Sequence, residues 1–371
     1  MNQCYAWSDF YSKHIRDLGN EAFEIVFNAE PLQNQWAKEN GSASVGNKIV
    51  LDQLKMLKPD VVFFQDSFTF NGEWINQLRK SVPSLKLIIG NCCSAYTDEY
   101  INQFRVFDFM VVCTPGFLED FRRLGLNTYY ISHAFEDSLI DRIKTDNNYP
   151  EADFIFLGSF MPGAEWHDLR QTVVNHLIKA GINIDIYANI PRIAPFDLFK
   201  RRNAYYLVKA LKALKLDYAA KNMPLINKAY YLKEAPTNHK NISAIGKIAK
   251  PPIFGIDMLK ALSKSKIGFN LHIAAAGKYA GNVRLFEITG AGSCMITDWK
   301  KNLHELFEID KEIVAYKTAE ECLEKIKWLL DHPREREEIA KAGQRRVLKD
   351  HTFRKRALQL NEIILKELKK I

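Results

Sequence analysis

The sequence predicts an α/β protein of two doubly wound domains, and three observations carry that expectation. Short apolar runs alternate with helical patterns along most of the chain. A polar stretch, "EDSLIDRIKTDNNYPEAD" at 136–153, divides the alternation into two series. The length of 371 residues, 47% of them hydrophobic, suits two domains of ordinary size.

In the first series "AFEIVFN" (22–28), "DVVFFQ" (60–65), "LKLIIG" (85–90), "FDFMVVC" (107–113) and "NTYYIS" (127–132) read as buried strands. Helical patterns such as "GEWINQLRKSV" separate them, as crossovers in a parallel sheet require. In "TPGFLEDFRRLGLN" Thr114 suits the helix N-cap, Pro115 the first turn and Gly125 the residue beyond the end. The chain opens unusually for such a domain. "SDFYSKHIRDLG" is already a capped helix, so a first strand is degenerate, donated differently or missing. The second series comprises "FIFLGSF", "INIDIYA", "KIGFNLH", "SCMITD" and "EIVAY", followed by helices, one of them begun at Pro333.

Several function classes are disfavoured. No apolar run approaches the roughly 18 residues that span a bilayer, and the first ten residues lack a signal-peptide pattern, so a cytoplasmic protein is expected. The six cysteines show no C-x-x-C spacing, which indicates neither a zinc site nor a disulfide framework; Cys92 and Cys93 are either a reactive pair or packing. Basic charge is concentrated in residues 192–250, with 13 Lys and Arg against 3 Asp and Glu. That segment interleaves cations with Phe, Tyr and Leu, so 192–235 either docks on an anionic membrane surface or packs its apolar stripe on the domain. It lacks any nucleic-acid-binding signature, and no nucleic acid is expected as partner.

The stretch "GNVRLFEITGAGSCMITD" (281–298) carries the most chemistry. Its Gly-Ala-Gly ends a helix and precedes a strand, the reverse of the dinucleotide fingerprint, so NAD is rejected. The anion-binding end is instead the helix start, where Gly281, Asn282 and Val283 offer free N–H groups. Arg284 and Glu287 lie three apart on that helix. They form either an intrahelical ion pair or a unit that neutralises a diphosphate and accepts from a sugar's vicinal hydroxyls.

The stretch from "PPIFGIDMLKALSKSKIGFNLH" through "GNVRLFEITGAGSCMITDWKKNLHELFE" to "IAKAGQRRVLKDHTFRKRALQL" resembles the CgeB-like (spore maturation protein) branch of GT-B glycosyltransferases, and the start region resembles bacterial members. The resemblance implies two facing Rossmann-like domains: 1–145 for the acceptor, 146–350 for the nucleotide sugar with the basic insertion 192–250, and a helix in 351–371 crossing back. It implies transfer, with retention, to a glycan, lipid-linked or protein acceptor in bacterial surface glycoconjugate synthesis. No metal or other cofactor is expected, because helix N-termini and basic side chains manage the leaving diphosphate.

Glu287 matches the glutamate that holds the ribose, and Gly290 and Gly292 the Gly-rich helix end beside it. Tyr279 stands where retaining relatives carry a second glutamate. That departure leaves two alternatives open: a nucleotide-sugar epimerase of the same fold, or a non-catalytic glycan-binding or coat-assembly protein.

Further candidates sit at strand ends, which face the ligand crevice of open α/β sheets. Gly158 and Ser159 suit either phosphate approach or a simple turn. Arg170 would reach the same phosphates or lie on a solvated helix face. Asn270 and His272 share one side of their strand, and His272 either contacts the transferred sugar or is structural. Asp66 and His133 close strands of the first domain, as a base for the acceptor hydroxyl or as turn residues.

Overall fold

The computed structural model describes residues 7–145, 149–160, 168–190, 194–224, 226–230, 232, 235, 242–273 and 277–371. Two parallel sheets organise the chain. The first holds β1 (Val61–Phe63), β2 (Leu87–Cys92), β3 (Phe109–Val112) and β4 (Thr128–Tyr130), side by side in that order. The second holds β5 (Ala152–Ser159), β6 (Asp185–Asn189), β7 (Ser265–Asn270), β8 (Cys294–Asp298) and β9 (Val314–Tyr316), in the order β6-β5-β7-β8-β9. Alternate residues of each strand enter different cores, as the two-residue period demands. Ile88, Met110 and Val112 pack on the outer helices of the first domain, whereas Leu87, Ile89, Phe109 and Val111 join a core shared with the second.

Chain order reverses in the second sheet at β5, which pairs with β6 on one side and β7 on the other. The crevice between the carboxyl ends of β5 and β7 is therefore a topological switch point, where open α/β sheets bind ligands.

Two expectations about the start fail. Residues 22–28 form no strand; Ile25 and Phe27 still pack on the first domain's core, but Phe23 is 62% exposed. The apolar alternation that suggested a strand is met by that packing without a hydrogen-bonded partner. A cavity of about 1490 Å³ separates this stretch from β1, whose outer edge is unpaired among the described residues. The first helix, Phe10–Asp17, also lacks the expected side-chain cap: Asp9, at the N-cap with ψ 19°, is outside the extended backbone that capping uses. Thr114 does cap its helix, Pro115–Arg123, accepting from Phe117 N–H at 3.2 Å, and Gly125 takes φ +77° beyond its end.

The last helix, Phe353–Leu368, crosses back onto the first domain. At the crossing Phe353 N–H donates to Phe135 O at 3.0 Å and Phe135 N–H to His351 O at 2.9 Å, Arg356 Nε donates to Ser132 O at 3.1 Å, and Gln359 Nε2 donates to Tyr130 O at 3.0 Å. Phe353 also packs edge-on against Tyr11 and tilted against Phe10. With helix Phe10–Asp17 seated on it, this helix is a strut joining the two sheets.

Candidate active site

Arg170 stands at the switch point. Its Nη1 donates to Ser159 O at 2.9 Å at the end of β5, and its Nη2 donates to Leu271 O at 2.7 Å just beyond β7. The guanidinium thus holds the crevice walls together rather than lying on a solvated helix face. Burial lowers its pKa, and the nearby positive charge of Arg284 lowers it further, to about 10. Gly158 lies beneath: a Cβ there would come within 2.8 Å of the Phe156 ring, so the strand end is closely packed.

Beyond β7, His272 is buried, and both its backbone N–H and its Nδ1–H donate to Asp298 Oδ1, at 3.0 and 2.7 Å. Asp298 ends β8, and Lys300 Nζ lies 3.3 Å from its other oxygen. Burial pushes the Asp298 carboxyl up, but the hydrogen bond and charge of His272 outweigh it and hold the group below its ordinary value. Because Nδ1 is committed, Nε2 is the ring edge left over, and it is buried without a hydrogen-bond partner among the described residues.

The segment leading into helix Arg284–Ala291 is clamped from two sides. Asn270 and Asn282 exchange amide hydrogen bonds of 3.3 and 2.6 Å, and Asn270 also donates to Thr297 Oγ1 at 2.9 Å. Buried Asn302 accepts from Ala280 N–H at 2.7 Å and donates to Ala280 O at 3.0 Å. Asn270 therefore fixes the loop, and the helix N-terminus is set before any anion arrives.

On that helix Arg284 Nη1 lies 2.9 Å from Glu287 Oε2, so the intrahelical ion pair is present. The approach lacks hydrogen-bond geometry, and Glu287 Oε2 is left buried without a hydrogen-bond partner among the described residues. Arg284 compensates the charge of that oxygen, which keeps lone pairs open to a hydrogen-bond donor. Gly290 and Gly292 lie at the opposite end of the helix. A Cβ on Gly290 would come within 2.4 Å of the Phe135 ring, and Gly292 ends the helix at φ +92°, so both serve packing and termination.

Contacts with the first domain close the crevice. A Cβ on Gly281 would meet Thr114 at 2.3 Å, and Tyr279 covers Gly116 while its hydroxyl donates to Glu119 Oε1 at 2.8 Å. Asp66 lies on the rim of the first-domain cavity, with Oδ1 accepting from Phe68 N–H and Oδ2 from Thr69 Oγ1, which is a turn role. His133 is half-buried beside Trp7, whose Nε1–H donates to its Nδ1 at 3.3 Å.

The structure thus gathers Arg170, Asn270, His272, Asn282, Arg284 and Glu287 at one crevice. Asp298, Lys300 and Asn302 join them unforeseen; only the aspartate closing an apolar run at a strand end hinted at any of them.

Residues 216–362 match a family model described as glycosyl transferase-like. No curated protein matches the sequence. Among solved structures the chain is similar to HepE from Anabaena in complex with UDP and glucose, with TM-score 0.54 at 10% identity over 86% of this chain and 82% of that one. It is similar to sucrose-phosphate synthase from Thermosynechococcus elongatus, with TM-score 0.51 at 14% identity over 87% and 78%. TarM gives TM-score 0.51 at 11% identity over 86% and 57%. Likeness at these identities speaks for the fold, and the fold is GT-B, two Rossmann-like domains facing a crevice. This chain has the GT-B fold, and its residues 216–362 are similar to the glycosyl transferase-like family.

Proposed function

We propose that the protein transfers a sugar from a nucleotide diphosphate donor to an acceptor hydroxyl, within the CgeB-like branch its sequence resembles. The observation that carries the reading is Glu287 Oε2, buried beside Arg284 with no hydrogen-bond partner among the described residues, one turn into a helix whose N-terminus suits a diphosphate. A ribose hydroxyl would satisfy that oxygen. Arg284, Arg170 and Lys300 would balance the diphosphate, and His272 Nε2 would meet the sugar or the leaving phosphate. Protein cations can carry the leaving-group charge, so the proposed transfer is metal-independent, and we assign it retention and a glycan, lipid-linked or protein acceptor of a bacterial surface glycoconjugate. HepE binds UDP, which makes UDP the first donor nucleotide to try.

Calorimetric titration with UDP, GDP, CDP and ADP should find one nucleotide that binds. Glu287→Ala should weaken it tenfold or more, since a hydrogen bond to a charged group contributes about 1.5–3 kcal/mol. Equal affinity in a folded variant would refute the ribose assignment.

The basic insertion fits an acceptor at a membrane surface, and we place the protein in the cytoplasm, peripheral to the membrane. Among the described residues no helix is long and apolar enough to cross a bilayer. Among the described residues, helix Pro195–Ala213 and its neighbours bury a small core around Val208, Ala220, Ile226 and Ala229. Phe196, Phe199, Leu207, Leu214 and Tyr218 are exposed among the cations, so the apolar stripe is not fully used in packing. Sedimentation with anionic vesicles, weakened in Phe196→Ser/Phe199→Ser and absent with neutral vesicles, is the expected result. Equal recovery with both vesicle types would reject electrostatic docking.

A further inference from the structure

Cys93 and Cys113 lie twenty residues apart and lack any motif spacing, yet the first sheet brings them together. Cys92 and Val112 are register partners on β2 and β3, so Cys93 and Cys113 follow one step beyond the paired ends. Neighbouring strands run about 4.8 Å apart, inside the roughly 4.4–6.8 Å window that a disulfide requires between Cα atoms. His133, just past β4, completes the group, and the ligating atoms of the three side chains all lie within 4.8 Å of one another. Cys113 is buried, whereas Cys93 and His133 are half-buried and leave the group open on one side.

The tautomer of His133 decides what the cluster can do. An indole N–H only donates, so the bond from Trp7 makes Nδ1 an acceptor and leaves the proton of the neutral ring on Nε2. A neutral ring so engaged has no second lone pair for a metal ion, and it offers an N–H donor to a thiolate. We propose that Cys113 and Cys93 form a peroxide-sensitive dithiol, with Cys113 as the attacking thiolate, Cys93 as the resolving thiol and His133 as the group that stabilises the thiolate.

The Cys113 sulfur attacks the peroxide: an S–O bond forms, the O–O bond breaks, and hydroxide leaves. The Cys93 sulfur then attacks the Cys113 sulfur: the S–S bond forms, the S–O bond breaks, and water leaves with the Cys93 proton. Two thiols lose two electrons and the peroxide gains them. The titration pattern agrees in direction. Burial pushes the Cys113 thiol up, but its hydrogen bonds to Cys93 and to His133 outweigh this and hold it below the ordinary range. Burial and the neighbouring Cys113 push Cys93 well up, so the pair gives up one proton readily and not two.

The location gives the bond a consequence. The Cys113 carbonyl and Thr114 lie against Gly281, at the entry to helix Arg284–Ala291. Strapping β2 to β3 there would fix the crevice floor and slow sugar transfer. That consequence rests on the proposed function; formation of the bond does not.

The full-length chain would be treated with hydrogen peroxide, its free thiols blocked, and its peptides mapped by mass spectrometry. A Cys93–Cys113 linked peptide, reversed by dithiothreitol and absent in Cys93→Ser, is expected. His133→Phe should form it at least tenfold more slowly. Failure of the link in wild type, or a link joining Cys92 to Cys93, would overturn the assignment. So would stoichiometric retention of zinc that blocks both thiols, which would make the cluster a metal site.

Discussion

Replacing Arg284 by alanine should lower kcat for sugar transfer about 100- to 1000-fold at saturating donor, the range found when one preorganised stabiliser of developing charge is removed. As the glycosidic bond to phosphate breaks, negative charge accumulates on the diphosphate, and Arg284 stands at the helix N-terminus where that charge would fall. Its environment favours this use over a purely structural one. The guanidinium is near Arg170, a like charge buried between two strand ends, so it receives no electrostatic support from that side. Its contact with Glu287 lacks hydrogen-bond geometry, and among the described residues its Nη1 also meets the Met258 thioether.

A cation held this way gains most when an anion arrives. Nucleotide affinity should fall less than kcat, because the attraction is greatest in the transition state. Arg284→Lys should recover part of the rate, since a point charge replaces a bidentate one. The rate should survive chelation of divalent metal, and the anomeric configuration of the product, read by NMR, should match that of the donor. An unchanged kcat in a folded Arg284→Ala would remove the residue from the chemistry.

What could be read in the sequence was local. The strands at 85–90, 107–113 and 293–298 announce themselves because each is an apolar run buried on both faces of a parallel sheet. Arg284 and Glu287 were legible because a helix brings residues three apart together. The stretch 22–28 misled because alternation records only burial on one face, and Ile25 and Phe27 achieve that burial without pairing. Asp298 and Asn302 stayed hidden because their partners, His272 and Ala280, arrive from other segments; no local period encodes such meetings. The same holds for Tyr279 and Glu119, which meet across the crevice, and for Cys93 and Cys113, whose proximity follows from strand register rather than spacing. Arg170 shows the limit most plainly. Its place on a helix left phosphate contact and a solvated face equally open, and the switch-point topology turns it inward onto two strand ends.

The largest stability effect is expected at Glu136, where the crossover corner meets the first helix. Its buried carboxylate accepts from His14 Nε2 at 2.8 Å and from Lys13 Nζ at 2.8 Å, and Ser138 donates a third bond. Burial pushes this carboxyl up, but the three hydrogen bonds outweigh it and bring it down to about 2. Burial pushes His14 down, yet its bonds to Glu136 and Asp17 prevail and raise it. Glu136→Ala leaves the imidazole and ammonium without their carboxylate and should cost about 3–5 kcal/mol, the usual penalty for removing one partner of a buried pair.

The pH signature separates this from a simple packing loss. A depressed carboxyl contributes stability above its unfolded value of about 4.3, and that contribution disappears as pH falls toward 2. A raised imidazole contributes fully below about 6.5, and its share disappears as pH rises through the higher folded value. Wild type should therefore gain most from the pair between about pH 4.3 and 6.5, and Glu136→Gln, which keeps the shape but not the charge, should flatten that maximum in melting temperature. If calorimetry gives the two proteins parallel pH profiles, the network does not supply the stability assigned to it.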